Sequence, residues 1–496
     1  MSHPLRRFAA LFSLSLLIAA RLPAQETVAA PAAQPAVPEL TLEECIKRAL
    51  AKNFDLEIGR YAPQIAKDAI DVAKGAYETK LAVTGSTGGA KNGASSLSGL
   101  SSSHTRDLRV GVTQELYTGT TLSASSGLDR TSLNPALTLN PAYNADLTLS
   151  IRQSLLRGFG YGIGHAGVDR AKIGLNRAKL DYKAQALNVI QSTENAYFNL
   201  AYTREQLTVR NFSLALAHRL YDEAKTRRQT GVATDLDVLT GEVGVANARR
   251  GVILAEQQAK DQQDALLALI GQFELDAPVG TVHFSEVSDA TPVFASSFEM
   301  AKQNQPDFLS SQAAIEQYKL DLKLAKDAAK PDLSVGGAVG LNGNNRSGTN
   351  AYNDAFNRES DSWQLDFAFN YSLGRGADRA RERQSLAALS REQTRLRQFE
   401  QTIAVQVRSA VRSVESNLES VKIATLASSL SQKTYELEEA RFKAGLSTSR
   451  RVLESQNDLE TARIAELQAK VSLHTAITAL HRLEGSSLQR YAIELP

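Results

Sequence analysis

From His165 to Arg228 the chain runs without a proline, while apolar residues recur at steps of three and four. A second stretch, Asp378 to Arg441, does the same more plainly, through Leu396, Phe399, Ile403, Val407, Val411, Val414, Leu418 and Val421. Such spacing, sustained for so long, predicts a helix packed in a coiled-coil manner. At ~1.5 Å per residue each would reach on the order of 95 Å, too long for a compact globular domain. Shorter helical segments at about 41–76 and 235–270 would each reach ~55 Å, so two placed end to end match one long helix. The first of them opens on Thr41, an N-cap with Glu44 three residues on.

The long helices belong to a pattern that occurs twice. Phe54-Asp55-Leu56 corresponds to Pro306-Asp307-Phe308, Ala73-Lys74 to Ala325-Lys326, and Leu81-Ala82-Val83 to Leu333-Ser334-Val335. Val168-Asp169-Arg170-Ala171 then matches Ala377-Asp378-Arg379-Ala380, and Tyr221, Gly231 and Val238-Leu239 match Tyr435, Gly445 and Val452-Leu453. The order implies an internal two-fold repeat, residues 41–271 and 298–485, joined by a connector at 272–297 and followed by a tail at 486–496. Each half reads as helix, strands, long helix, turn, helix, with hairpin tips near 231 and 445.

The strands, expected within 80–155 and 333–373, alternate apolar and polar residues, as in Asp146–Arg152 and Trp363–Tyr371. The first half shows four alternating segments, near 81–90, 107–117, 120–129 and 145–153, and the second shows two. Gly85–Ser103 and Asn342–Asp361 have the Gly, Ser and Asn content of loops. Such strands suit a transmembrane β-barrel, or a soluble sheet with one buried face. Neither half closes a barrel alone, so copies of the chain must share one.

The remaining features set the compartment. Arg6 and Arg7 precede an apolar run, Leu11–Ala20, and Leu22-Pro23-Ala24 offers a cleavage site, so residues 1–24 are expected to be a signal peptide. Residues 25–40 form a Pro/Ala-rich leader, and no later stretch is apolar enough for a membrane helix. The charges are 56 basic and 54 acidic, which gives no electrostatic case for nucleic acid. One cysteine, Cys45, excludes an internal disulfide and reads as a small apolar side chain. Seven scattered histidines give no metal motif, and no cofactor or enzymatic activity is expected. Gly162-Ile163-Gly164-His165-Ala166-Gly167 has dinucleotide-loop spacing, but it follows an alternating strand and opens a helix too long for a βαβ unit. It reads instead as a flexible joint between strands and helices.

With these residues in view, the chain resembles the TolC-like outer membrane efflux protein family over nearly its whole length. The most specific likeness lies in the turns Gly231-Val232-Ala233-Thr234-Asp235 and Gly445-Leu446-Ser447, and in the opening Leu40-Thr41-Leu42-Glu43-Glu44. The resemblance implies an α+β membrane protein. Long antiparallel α-helical hairpins would form an α-barrel, and a transmembrane β-barrel would be shared between protomers of a homotrimer. Such a duct lies in the outer membrane lipid with its helices in the periplasm, and partners a periplasmic adaptor (membrane fusion) protein and an inner-membrane transporter in efflux or type I secretion. The family norm is two barrel strands per half, so the extra first-half pair is either a surface hairpin or additional staves.

The resemblance also implies site residues. The periplasmic gate is expected at Asp235, Asp237, Arg450, Arg451 and Glu454, where Arg451 departs from an acidic family position and Glu454 keeps one. Asp237 is expected to pair with Arg450 or Arg451. The tips Gly231, Val232, Gly445 and Leu446 would dock the adaptor, as exposed apolar tips suit an interface. A periplasmic coiled-coil adaptor or scaffold remains the alternative to the duct.

Overall fold

The computed structural model describes residues 40–92, 101–134, 140–272, 280–284, 291–358 and 360–493. The expected signal peptide and nearly all of the leader lie outside the described residues, as do parts of the connector and the last three residues.

The first half begins with three helices, α1 (Leu42–Lys52), α2 (Phe54–Gly59) and α3 (Tyr61–Gly75). Four strands follow, β1 (Lys80–Asn92), β2 (Ser101–Glu115), β3 (Thr120–Asn134) and β4 (Ala142–Ser154). The short α4 (Tyr161–Gly164) leads to α5 (Ala166–Gln229), which turns into α6 (Asp235–Leu269). The second half has α7 (Phe294–Asn304), α8 (Pro306–Ala328), β5 (Asp332–Asn345), α9 (Gly348–Phe356) and β6 (Ser360–Asn370). It continues with α10 (Gly376–Lys443), α11 (Ser449–Glu484) and α12 (Ser487–Arg490).

The two longest helices, α5 and α10, span on the order of 100 Å each, as their sequence patterns require. The expected stripe on α10 is its core face. Ile403, Val407, Val411, Val414 and Leu418 pack with Leu473, Ala476 and Leu480 of α11 and with Phe308 of α8. The corresponding core on α5 joins Ala186, Phe198, Leu200 and Ala201 to Cys45 of α1 and to Leu266 and Leu267 of α6. Cys45 is fully buried, and desolvation pushes its thiol pKa up to about 12, as suits a packing residue.

The opening helix is not continuous, contrary to the sequence expectation. Asn53 adopts an extended backbone, which frees its side chain to cap α2 by accepting from the amides of Asp55 and Leu56. Its Nδ2 meanwhile donates to the carbonyl of Leu269 at 3.1 Å, where α6 ends. Gln305, also extended, breaks α7 from α8 at the matching place in the second half. Short helices therefore share the length of each long one, meeting near its middle.

All six strands form one antiparallel sheet in the order β1-β2-β3-β4-β5-β6. They are longer than expected: β1 and β2 extend into the Gly/Ser-rich segment assigned to a loop, and the second such segment contains α9. Glycine and serine there occupy paired strand positions such as Gly88–Thr105 and Gly89–His104, so composition alone misplaced the strand ends.

Cross-strand partners share a face, which sorts the side chains. One face carries Leu81 with Val112 and Val83 with Val110; Leu122 with Ile151 and Ala124 with Leu149; Leu149 with Val339, and Val339 with Trp363; and Val335 with Phe367. The other carries Thr84, Arg109, Asp146, Arg152 and Asp366, with ion pairs Arg109–Asp146 at 3.5 Å and Arg152–Asp366 at 3.0 Å. The apolar face is solvent-exposed in the single chain, Trp363 at 78%. The outer edges of β1 and β6 have no strand partner among the described residues.

Candidate functional site

The two hairpin tips are built from the same backbone device. Gly231 sits at φ +80°, its amide donates to the carbonyl of Arg228 at 2.9 Å, and that of Val232 donates to Arg227 at 2.9 Å. Gly445 sits at φ +75°, with its amide on Phe442 at 3.0 Å and that of Leu446 on Arg441 at 2.8 Å. Both are Schellman closures, which require a left-handed residue and hence favour glycine. The turn leaves Val232 and Leu446 pointing outward, 75% and 73% exposed.

Past the first turn, Thr234 caps α6 in a reciprocal box. Its Oγ1 accepts from the Asp237 amide at 3.3 Å, and its own amide and hydroxyl donate to Asp237 Oδ2 at 2.9 and 2.7 Å. These bonds to the charged form hold the Asp237 pKa below the usual carboxylate value. The remaining oxygen accepts from Ser449 Oγ at 3.4 Å, so Asp237 does link the hairpins, though through a serine.

The expected pairing of Asp237 with Arg450 or Arg451 is not present among the described residues. Arg450 bonds Glu454 one turn along its own helix, Nε to Oε1 at 3.1 Å, which the i,i+4 spacing favours. Asp235 is paired instead with Arg228 across its own turn at 2.5 Å. Arg451 is exposed. The five charges expected at a gate thus lie together at one end of the molecule, in two local ion pairs, one capping box and one exposed cation.

Sequence reasoning missed Arg227. Its guanidinium lies 4.1 Å from the centre of the Phe442 ring, donates to the Phe442 carbonyl at 3.1 Å and pairs with Glu223 at 2.7 Å. It thereby ties the end of α5 to the end of α10. The Arg-x-x-x-Gly spacing before the tip was its only sequence signal. Above it Leu216, Leu220, Tyr435, Phe442, Val452 and Leu459 form a core between the hairpins, and desolvation pushes Tyr435 up to about 12.

The opposite end holds the junction between sheet and helices. The segment expected to be a flexible joint is packed: Tyr77, Tyr117, Tyr161 and His165 form a ring cluster with centroids 4.2 to 5.7 Å apart. A Cβ on Gly164 would collide with the Tyr117 carbonyl, while the Gly164 carbonyl accepts from the Tyr77 hydroxyl. Glycine is required at 164 for close approach, whereas a Cβ on Gly167 would meet open space, so the spacing that resembled a nucleotide loop marks one tight contact and not a phosphate cradle.

The family model for outer membrane efflux proteins matches residues 119–272 and 298–486. The chain is 26% identical over 376 residues to the pyoverdine export outer membrane protein OpmQ of Pseudomonas aeruginosa, covering 72% of this chain and 73% of that one. It is 21% identical to the outer membrane protein TolC of Vibrio cholerae, over 71% of this chain and 83% of that one. Its fold is similar to the outer-membrane channel OprN, with a TM-score of 0.69 at 16% identity and 90% coverage of both chains. It is likewise similar to CusC, with a TM-score of 0.67 at 14% identity, covering 94% of this chain and 96% of that one.

Proposed function

The chain belongs to the outer membrane efflux protein family, as an exit duct of the outer membrane and not a periplasmic adaptor, and from that premise we propose how it is assembled and gated. Three copies share one β-barrel in the outer membrane and one helical barrel across the periplasm. The single observation that carries this reading is the sheet: among the described residues, six strands with one continuous apolar face, one charged face and two edges without a strand partner. A lone sheet of that kind would expose its edges and its apolar face together, whereas closure between copies pairs the edges and turns the apolar face to lipid.

The tips then converge at the periplasmic end. Asp237, Asp235, Arg450, Arg451 and Glu454 appear three times each around the aperture, so local charge sets which ions pass. The Asp237–Ser449 and Arg227–Phe442 links hold the two hairpins of each copy together and keep the aperture narrow. Val232 and Leu446 offer apolar contacts to a periplasmic adaptor, which connects the duct to an inner-membrane transporter. The duct makes and breaks no bonds, and its cargo is set largely by the transporter behind it.

The protein mass of the detergent-extracted particle from isolated outer membranes tests this. Three chains per particle are expected, with a small single-channel conductance that rises when the tip links are cut. A chain released without detergent as a monomer or dimer would remove the shared barrel.

A further inference from the structure

The two halves differ in strand number, and the spacing between matched positions shows where. Asn53 and Gln305, which break the helices, stand as far apart along the chain as Lys80 and Asp332, the first residues of β1 and β5. The left-handed pair Gly231 and Gly445 has the same separation as Gly271 and Gly485, and that separation is the shorter of the two. The first half therefore holds extra chain between its first strand and the hairpin tip, enough for two strands and their turns. Since β1 corresponds to β5, and β4 and β6 each lead into a long helix, the surplus is the β2–β3 hairpin with its turn at 116–119. That hairpin is no surface flap. β2 pairs along its length with β1 and β3 with β4, and Leu108, Val110, Val112, Leu122 and Ala124 continue the apolar face of their neighbours.

We propose that the β2–β3 hairpin is an insertion of two staves that widens the barrel, so that three copies close an eighteen-stranded barrel through a seam between β1 of one copy and β6 of the next. The proposal rests on the three-fold reading above. The occupant of each open edge is a second copy of this chain, on three grounds. β1 leaves the helical side and β6 returns to it, so the seam is antiparallel. The two edge strands, Lys80–Asn92 and Ser360–Asn370, are of similar length. Both carry the apolar face to the edge, through Leu81 and Val83 on one side and Trp363, Leu365, Phe367 and Phe369 on the other.

The widening has a geometric sense. With strands ~4.8 Å apart and tilted ~40°, each stave occupies ~6.3 Å of circumference, so eighteen give about 113 Å and twelve about 75 Å. Each chain brings four helical staves: α5, α10, α6 continued by α2–α3, and α11 continued by α8. Twelve such staves at ~9.5 Å spacing need about 114 Å. The enlarged barrel thus meets the helical ring at equal girth, and the passage does not narrow where it enters the membrane.

Two experiments test this on the full-length protein carrying Cys45→Ala. Ala82→Cys with Ala368→Cys places thiols on the charged face of β1 and β6, and a short bismaleimide is expected to join chains into dimers and trimers on a denaturing gel. Ser123→Cys on β3 with Ala368→Cys should give none. A three-chain particle that cross-links through β3 and not through β1 overturns the proposal, as does one that cross-links through neither. A particle without three chains instead fails the assembly reading itself.

The second experiment excises residues 101–139, joining β1 to β4 through residues 93–100. The excised duct is expected to remain trimeric, with the radius limit for neutral polymers entering from the outer face lowered by about a third, since barrel diameter scales with strand number. An unchanged limit overturns the proposal. The cross-links decide independently if the excised chain does not assemble.

Discussion

Ser449 Oγ donates to Asp237 Oδ1 across 3.4 Å, fastening the first turn of α11 to the first turn of α6. Because Asp237 also closes the capping box with Thr234, its carboxylate serves helix and contact at once. The two roles separate by mutation. Thr234→Ala should cost about 1 kcal/mol of stability by loss of the cap and leave conductance nearly unchanged. Ser449→Ala should leave the thermal midpoint nearly unchanged and raise conductance, and Asp237→Lys should do both. Planar-bilayer recording with parallel melting curves checks this, and unchanged conductance in Asp237→Lys would sink the gate reading.

Four left-handed glycines close the helices of the two hairpins, and they differ in what surrounds them. A Cβ on Gly271 would lie 2.5 Å from the Lys52 carbonyl oxygen, and one on Gly485 would lie 2.7 Å from that of Asn304. Gly231 and Gly445 have open space at the same positions. Alanine at a tip should therefore cost only the left-handed conformation, about 1–2 kcal/mol. Gly271→Ala and Gly485→Ala should cost more, since backbone must also move. Chemical denaturation of the four variants ranks them, and equal losses would show that the mid-height contacts are loose.

Acid should weaken the middle of the duct. His474 is buried, its ring stacked 4.1 Å from that of Phe198, and desolvation with the nearby charge of Arg490 holds its pKa down to about 4. In the unfolded chain it titrates near 6.5, so the unfolded state takes the proton first as pH falls. The contribution is fully kept above pH ~6.5 and lost progressively towards 4, by on the order of 3 kcal/mol at most. His474→Phe keeps the stacking and should flatten the thermal midpoint between pH 6.5 and 4.5. His481, depressed to about 4 in the same way, leaves a residual slope. Identical pH profiles for variant and parent would contradict the assignment.

Charging the tips should uncouple the duct from its adaptor without disturbing the duct. Val232→Asp with Leu446→Asp touches two exposed residues, so stability should change by no more than about 0.5 kcal/mol. The particle mass and conductance should be retained, while co-purification of the adaptor after cross-linking in cells falls at least tenfold. Full retention of the adaptor would place docking elsewhere on the hairpins.

Much of this was legible in the residues. The stripe from Leu396 to Val421 named the core face of α10, and the glycines at 231 and 445 named the turns, because both signals are local and repeat at a fixed period. Three things were not. Asn53 was passed over as a helix break, because part of what holds it, the bond from its Nδ2 to the Leu269 carbonyl, comes from a residue far away in the chain. Gly85–Asn92 and Ser101–Ser103 looked like loop, although glycine and serine are tolerated on strands whose hydrogen bonds come from neighbours. At the tips, matching charges suggested an Asp237–arginine pair, yet Arg450 had a partner one helical turn away, and a close local partner wins over a distant one.

The position of the β2–β3 hairpin carries a rule for how such outlets change calibre over evolutionary time. Each sheet segment starts and ends at the helices, so a chain gains or loses strands only as up-and-down pairs. Under three-fold symmetry every such event alters the rim by six strands at a stroke. On the proposed three-fold closure the bore of the exit is therefore quantised, while the close backbone approaches at Gly271 and Gly485 recur at matched places in the helical part of both halves.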